Sequence, residues 1–154
     1  MNFQFDNMTR RETLTLAAIA GFAAALAPRM AFADEKAVAA EITKLYGEKK
    51  LDSGKIKLDV PEIAENGLVV PINIEVESPM TDADYVKAVH VYADGNPLPG
   101  IVSYKFTPAC GKAAASTRMR LAQTQNIVCV AEMSNGALYT TKANVKVTIG
   151  GCGG

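Results

Sequence analysis

The spacing of apolar residues changes twice along this chain, and each change marks a different kind of segment. From Leu14 to Ala27 the residues are mostly apolar and rich in alanine, and the run breaks at Pro28-Arg29. Between Asp34 and Tyr46 the apolar positions Val38, Ile42, Leu45 and Tyr46 recur at helical spacing, with acidic residues at the start and Gly47 just past the end. This predicts a short amphipathic helix. A basic, polar linker is expected to follow through Lys49, Lys50, Asp52, Ser53 and Gly54.

After Lys55 the period becomes two. Ile72, Ile74 and Val76 alternate with Asn73, Glu75 and Glu77, and Ala143, Val145, Val147 and Ile149 alternate with Asn144, Lys146 and Thr148. One face of each strand should be buried and the other wet. Less regular runs cover residues 56–60, 85–92, 100–106, 113–121 and 127–132. Asn66-Gly67, Asp94-Gly95 and Asn135-Gly136 punctuate them, dipeptides suited to the positive φ of tight turns. About seven short strands at regular spacing predict a mainly β domain over residues 34–149: an immunoglobulin-like antiparallel β-sandwich preceded by a short helix. Pro71 should open its strand or lie at a sheet edge, because it has no N–H to give a ladder.

The first 33 residues read as a twin-arginine signal peptide. Thr9-Arg10-Arg11-Glu12-Thr13-Leu14 leads into the apolar run, and Ala31-Phe32-Ala33 supplies a small-x-small cleavage pattern, so the mature chain should begin at Asp34. Thr13 stands where that pattern usually carries a large apolar residue. The apolar run from Leu14 to Ala27 is shorter than the roughly 20 residues that span a bilayer, so no membrane association is expected after cleavage. The expected location is the periplasm, reached by a route that carries folded cargo.

Cleaving the first 33 of 154 residues leaves 121, enough for one ordinary domain and one core. The formal charge of the whole chain is +0 and the basic residues of the leader are lost on cleavage, so the mature chain is mildly acidic and nucleic acid is not an expected partner. With one histidine and no Cys-x-x-Cys, a structural zinc site has no ligand set. There is no Gly-x-Ser-x-Gly elbow, phosphate loop or dinucleotide fingerprint. Neither catalytic residues nor a cofactor or metal are expected.

The candidate chemistry sits at the other end. The chain closes on Gly150-Gly151-Cys152-Gly153-Gly154, directly after a strand pattern. Glycine carries no side chain to pack, so this tail reads as a flexible arm holding a thiol. At roughly 3.3 to 3.6 Å per extended residue, the three residues after Ile149 carry the sulfur on the order of 10 Å from the folded body. An exposed thiol in an exported protein is exposed to oxidation and dimerisation, which argues that Cys152 is used.

Other polar residues carry weaker signals. Cys110 and Cys129 either bridge each other or remain buried thiols. If their strands form a hairpin turning near Thr124, Cys129 lies opposite Arg118 and Met119, several residues from Cys110, which favours two thiols. His90 should be a partly exposed strand histidine, with Val89 and Val91 on the opposite face. Asp82 and Asp84 read as solvated turn residues. Arg118 and Arg120 should leave one face of a strand, where they suit an anionic sulfur group or an acidic partner, or simply a wet sheet face.

Three segments carry a family resemblance: Val147-Thr148-Ile149-Gly150-Gly151-Cys152-Gly153-Gly154, Ser116-Thr117-Arg118-Met119-Arg120-Leu121-Ala122 with Thr124-Gln125, and His90-Val91-Tyr92-Ala93-Asp94-Gly95-Asn96-Pro97. Together with the leader, the chain resembles the SoxY family, the carrier subunits of the periplasmic sulfur-oxidising (Sox) system. The tail is the specific part. The resemblance implies a substrate carrier that is not itself an enzyme, with Cys152 as the covalent attachment point and Gly150, Gly151, Gly153 and Gly154 as its swinging arm. It implies a SoxZ-like β-sandwich partner in a heterodimer, with a heterotetramer as a further assembly. It also implies a c-type haem SoxAX-like enzyme that conjugates thiosulfate to the cysteine, a SoxB-like manganese hydrolase that releases sulfate, and in some organisms a SoxCD-like sulfane dehydrogenase. Nothing in it bears on Cys110 or Cys129.

Three other readings compete. Gly153-Gly154 resembles the end of ubiquitin-like sulfur carriers, but the leader argues against a cytoplasmic, ATP-dependent system. An exported immunoglobulin-like structural or interaction module would use Cys152 for an intermolecular disulfide. A thiol redox enzyme would need a resolving cysteine and a base near the tail, and the sequence offers neither.

Overall fold

The computed structural model describes residues 32–150; residues 1–31 and 151–154 lie outside it, and with them most of the expected leader, its Ala31, and Gly151, Cys152, Gly153 and Gly154 of the expected arm. Helix α1 (Glu35–Tyr46) starts where the sequence suggested, because the Asp34 carboxylate accepts from the Ala37 N–H at 2.8 Å and supplies the cap. It stops at Gly47, whose φ of 70° lets its N–H turn back onto the Thr43 carbonyl at 2.7 Å. Val38 and Ile42 are buried against Tyr92 and Val130, each contributing roughly 1.5–3 kcal/mol of apolar burial. Leu45, expected on the same face, stays exposed near the last turn.

Nine strands follow among the described residues, in two sheets: β1 (Leu51–Ser53), β2 (Ile56–Asp59), β3 (Ile63–Asn66), β4 (Val70–Val76), β5 (Val86–Ala93), β6 (Gly100–Lys105), β7 (Ala113–Met119), β8 (Gln125–Met133) and β9 (Leu138–Ile149). One sheet runs β1-β9-β8-β5-β6, with β3 also paired to β9; the other is β2-β4-β7. The fold is an immunoglobulin-like sandwich, antiparallel except where β1 and β3 lie parallel to the two halves of β9. The expected linker at residues 49–54 is in fact interrupted by β1, which Leu51 anchors by packing against the α1 cluster. Cleanest of all is β4, which buries Val70, Ile72, Ile74 and Val76 and leaves Pro71 and Asn73 exposed. Pro71 is the second residue of this central strand, where it precedes the start of pairing with β2.

The core between the sheets is built from Ile72, Val70, Val86, Val89, Val91, Leu121, Ile127, Met133 and Val145, all essentially inaccessible. β5 is buried on both faces: a register shift between Val86 and Ala88 changes the phase, so Val89 and Val91 face the core while Tyr92 sits in the α1 cluster. β7 and β8 do not form a hairpin. They belong to different sheets, and the chain crosses between them after Met119. The hairpin geometry assumed for Cys110 and Cys129 therefore does not exist. Cys110 is exposed in the short turn Pro108–Cys110, Cys129 is buried on β8, and both are free.

Candidate functional site

What the fold supplies to the expected thiol is the root of its arm. β9 is flanked by β8 as far as Val145, opposite Gln125, and by β3 as far as Ile149, opposite Asn66. Beyond the β8 pairing the strand is held by side chains and turns. Thr124 receives the Val147 N–H on its hydroxyl at 3.0 Å, and the Thr148 hydroxyl donates to the Glu65 carbonyl at 2.8 Å. Gly67 then clasps the two sheets together: its N–H donates to the Ile149 carbonyl at 2.7 Å, and its own carbonyl accepts from the Leu121 N–H at 2.8 Å.

Gly150, the one arm glycine among the described residues, lies against the crossing between β7 and β8. A Cβ added there would stand 2.1 Å from the Ala122 carbonyl oxygen, a separation no side chain tolerates. Glycine is needed here for close approach, in addition to any freedom it gives the arm. The wall it rests on is rigid because of two buried polar residues, Asn96 and Gln125. The Asn96 amide donates to the Arg120 carbonyl at 2.9 Å, and its oxygen accepts from the Ala122 N–H at 3.0 Å and from the Gln125 amide at 2.9 Å. Gln125 also donates to the Gln123 carbonyl at 3.1 Å and accepts from the Gly95 N–H at 2.7 Å. In a low-dielectric setting such a closed network fixes the backbone it touches. Neither residue stood out in the sequence as a site; Asn96 lies in the turn after β5 and Gln125 opens β8, and the one signal was that each falls within a segment carrying the family resemblance.

The other candidates are not gathered at this root as a group. Arg118 and Arg120 are both exposed, flanking buried Met119. Arg118 borders a shallow depression of about 500 Å³ with Pro71, Asn73, Ser116 and Thr117. Arg120 lies beyond the end of β7 and meets the root only through its carbonyl. Asp82 is exposed, and Asp84 closes the Thr81–Asp84 turn. His90 is half-buried: Nδ1 is 2.7 Å from the Ser103 hydroxyl, and its ring stacks on Tyr92 and meets Tyr46 edge-on. Burial holds the imidazole below its ordinary pKa, with the Glu132 charge opposing and Lys105 reinforcing the shift. Burial likewise pushes the Cys129 thiol up to about 12, so it is a core residue without thiolate character. Among the described residues no group of three or more His, Cys, Asp or Glu side chains comes together as a metal site.

A two-sheet β-sandwich whose final strand ends in a glycine-cysteine tail defines the class. Similar folds occur in superoxide reductase (neelaredoxin) from Ignicoccus hospitalis, at 15% identity over 61% of this chain and 80% of that one with a TM-score of 0.55. The putative superoxide reductase of Thermotoga maritima, at 17% identity over 64% and 87% with a TM-score of 0.51, is another. At such identities the likeness is one of fold. The sulfur carrier protein SoxY from Chlorobium limicola f. thiosulfatophilum is 30% identical over 74% of this chain and 98% of its own, with a TM-score of 0.63. No curated protein matches the chain. The model of the family described as sulfur oxidation protein SoxY matches residues 42–152, and the chain belongs to the SoxY family, whose members are carrier subunits rather than enzymes.

Proposed function

We propose that this chain is a periplasmic sulfur carrier, exported by the twin-arginine route and cleaved after Ala33, that holds sulfur intermediates covalently on Cys152. The observation that carries this reading is the family match over residues 42–152, which runs through the tail cysteine itself. A root fixed on the body with a thiol two residues further on supports the same reading.

The chemistry follows from a solvated thiol. Near its reference pKa of about 8.5 such a group is only a few per cent thiolate at neutral pH, so activation belongs to the processing enzyme's cleft. Joining the thiol to thiosulfate forms one S–S bond, releases one proton and passes two electrons to the SoxAX-like haem enzyme. Water then cleaves the terminal sulfone as sulfate in a SoxB-like hydrolase, leaving a persulfide on Cys152 for a SoxCD-like dehydrogenase where one is present. Gly151, Gly153 and Gly154 let narrow active sites accept the arm without side-chain clashes. A SoxZ-like subunit completes the carrier as a heterodimer.

Intact mass of the protein purified from its native periplasm, with and without reductant, tests this. Reducible sulfur adducts on the wild type that vanish in Cys152→Ser are expected. A bare mass in both, or a plain covalent dimer, overturns the proposal.

A further inference from the structure

The length of the arm dictates which part of the body meets an enzyme. Cys152 is two residues past Gly150, so its Cα lies at most about 7 Å from that of Gly150. Gly150 itself rests on the Ala122 carbonyl. Any protein that draws the thiol into a cleft must therefore bring the cleft's lip onto the residues bordering the root.

Those residues are apolar. Of the seven exposed large hydrophobic residues among the described ones, three lie here: Leu68, Val69 and Ile149, at 46%, 55% and 68% exposure. Gly67 bonds to the Ile149 carbonyl, and Leu68 and Val69 follow it directly. Single exposed hydrophobics are ordinary, but a group on one rim marks an interaction surface. β9 itself reports the anomaly, since its alternation would bury Ile149 if the sandwich continued, whereas the strand has already outrun the opposite sheet.

We infer that Leu68, Val69 and Ile149 form the docking rim for the haem-bearing enzyme that loads the arm, and that the rim fits an apolar lip around its cleft entrance. This rests on the proposed carrier role of Cys152. The rim supplies the contact area that a two-residue reach cannot. Partner surfaces of this kind are apolar at the centre and depleted in charge.

The test uses the full mature protein, thiosulfate, and the purified haem-bearing conjugating enzyme of the same organism, with loading of Cys152 read by intact mass. In Leu68→Ser/Val69→Ser the KM for the carrier should rise about tenfold with kcat within about twofold of wild type. Leu45→Ser, an equally polar change on α1, should leave both unchanged, and iodoacetamide should alkylate Cys152 at the wild-type rate throughout. A urea midpoint checks folding, and Ile149→Ser carries the same test should the double variant unfold. Wild-type KM in both rim variants overturns the proposal. So does a wild-type dimer by light scattering that the double variant dissolves while KM stays put, because the rim is then a contact between copies. If wild type gains no adduct, or Cys152→Ser gains one, it is the carrier reading that falls, and the docking rim falls with it.

Discussion

Replacing Asn96 with alanine removes the support behind the arm root while leaving the apolar core alone. The Asn96 side chain makes three hydrogen bonds, to the Arg120 carbonyl, the Ala122 N–H and the Gln125 amide, at 2.9, 3.0 and 2.9 Å. Gln125 keeps its bonds to Gln123 and Gly95 after the change, whereas the Ala122 N–H and the Arg120 carbonyl lose partners in part-buried positions. An orphaned buried group costs about 1–3 kcal/mol, and with some water reaching this edge the sum is about 2–4 kcal/mol. Given a urea m-value of about 2 kcal/mol per molar, the unfolding midpoint should fall by roughly 1–2 M. The Ala122 amide should also lose protection in hydrogen exchange. Asn135→Ala is the control, since it removes only the exposed cap on the Ala137 N–H and should lose less than about 1 kcal/mol. If Asn96→Ala moves the midpoint no more than Asn135→Ala, the network does not hold the wall and the account of the root is wrong.

Further outcomes follow from the same geometry. Gly150→Ala must displace the strand end from the Ala122 carbonyl, and enzymatic loading should slow about tenfold with small-reagent alkylation of Cys152 unchanged; equal loading rates would refute the steric argument. Gly151→Val should slow loading with the melting curve unaltered, and unchanged kinetics would count against the arm. A thiol reagent should titrate Cys110 and Cys152 in the native protein and reach Cys129 only in denaturant; three fast thiols would contradict the buried position on β8. His90 binds its proton less readily folded than unfolded, so acidification favours the unfolded chain. Its contribution is therefore complete above the ordinary histidine pKa of about 6.5 and lost as pH falls through the lower folded value. Urea midpoints at pH 7.5 and pH 5 should differ more in wild type than in His90→Gln, and parallel shifts would exclude His90 as the cause.

Much of this was legible in the chain, for local reasons. The alternation through β4 depends on one strand having one buried face, and the helix carries its own cap and stop at Asp34 and Gly47. Long-range pairing left weaker marks. β1 and β3 have three and four residues, too few for a period, and form only because β9 offers each a parallel edge. The crossing from β7 to β8 was hidden because Leu121 keeps the buried phase of Met119 although the strand has ended. Of the three turn glycines, only Gly136 takes a positive φ, at 81°. Gly95 is needed for closeness, since a Cβ there would stand 2.9 Å from that of Gln125, and Gly67 serves as the clasp between sheets. The tail cysteine was plain in the sequence, but the surface that backs it became visible only with the loops in place.

The placing of β9 has a consequence for how the molecule is made. This strand follows the other eight described strands in the chain, yet it fills the gap between β8 on one side and β1 and β3 on the other. A chain interrupted before Leu138 has three unsatisfied edges and no means of closing them, the condition in which β proteins aggregate. Cys152 comes after this closing strand in the chain, so a product interrupted before Leu138 lacks that thiol.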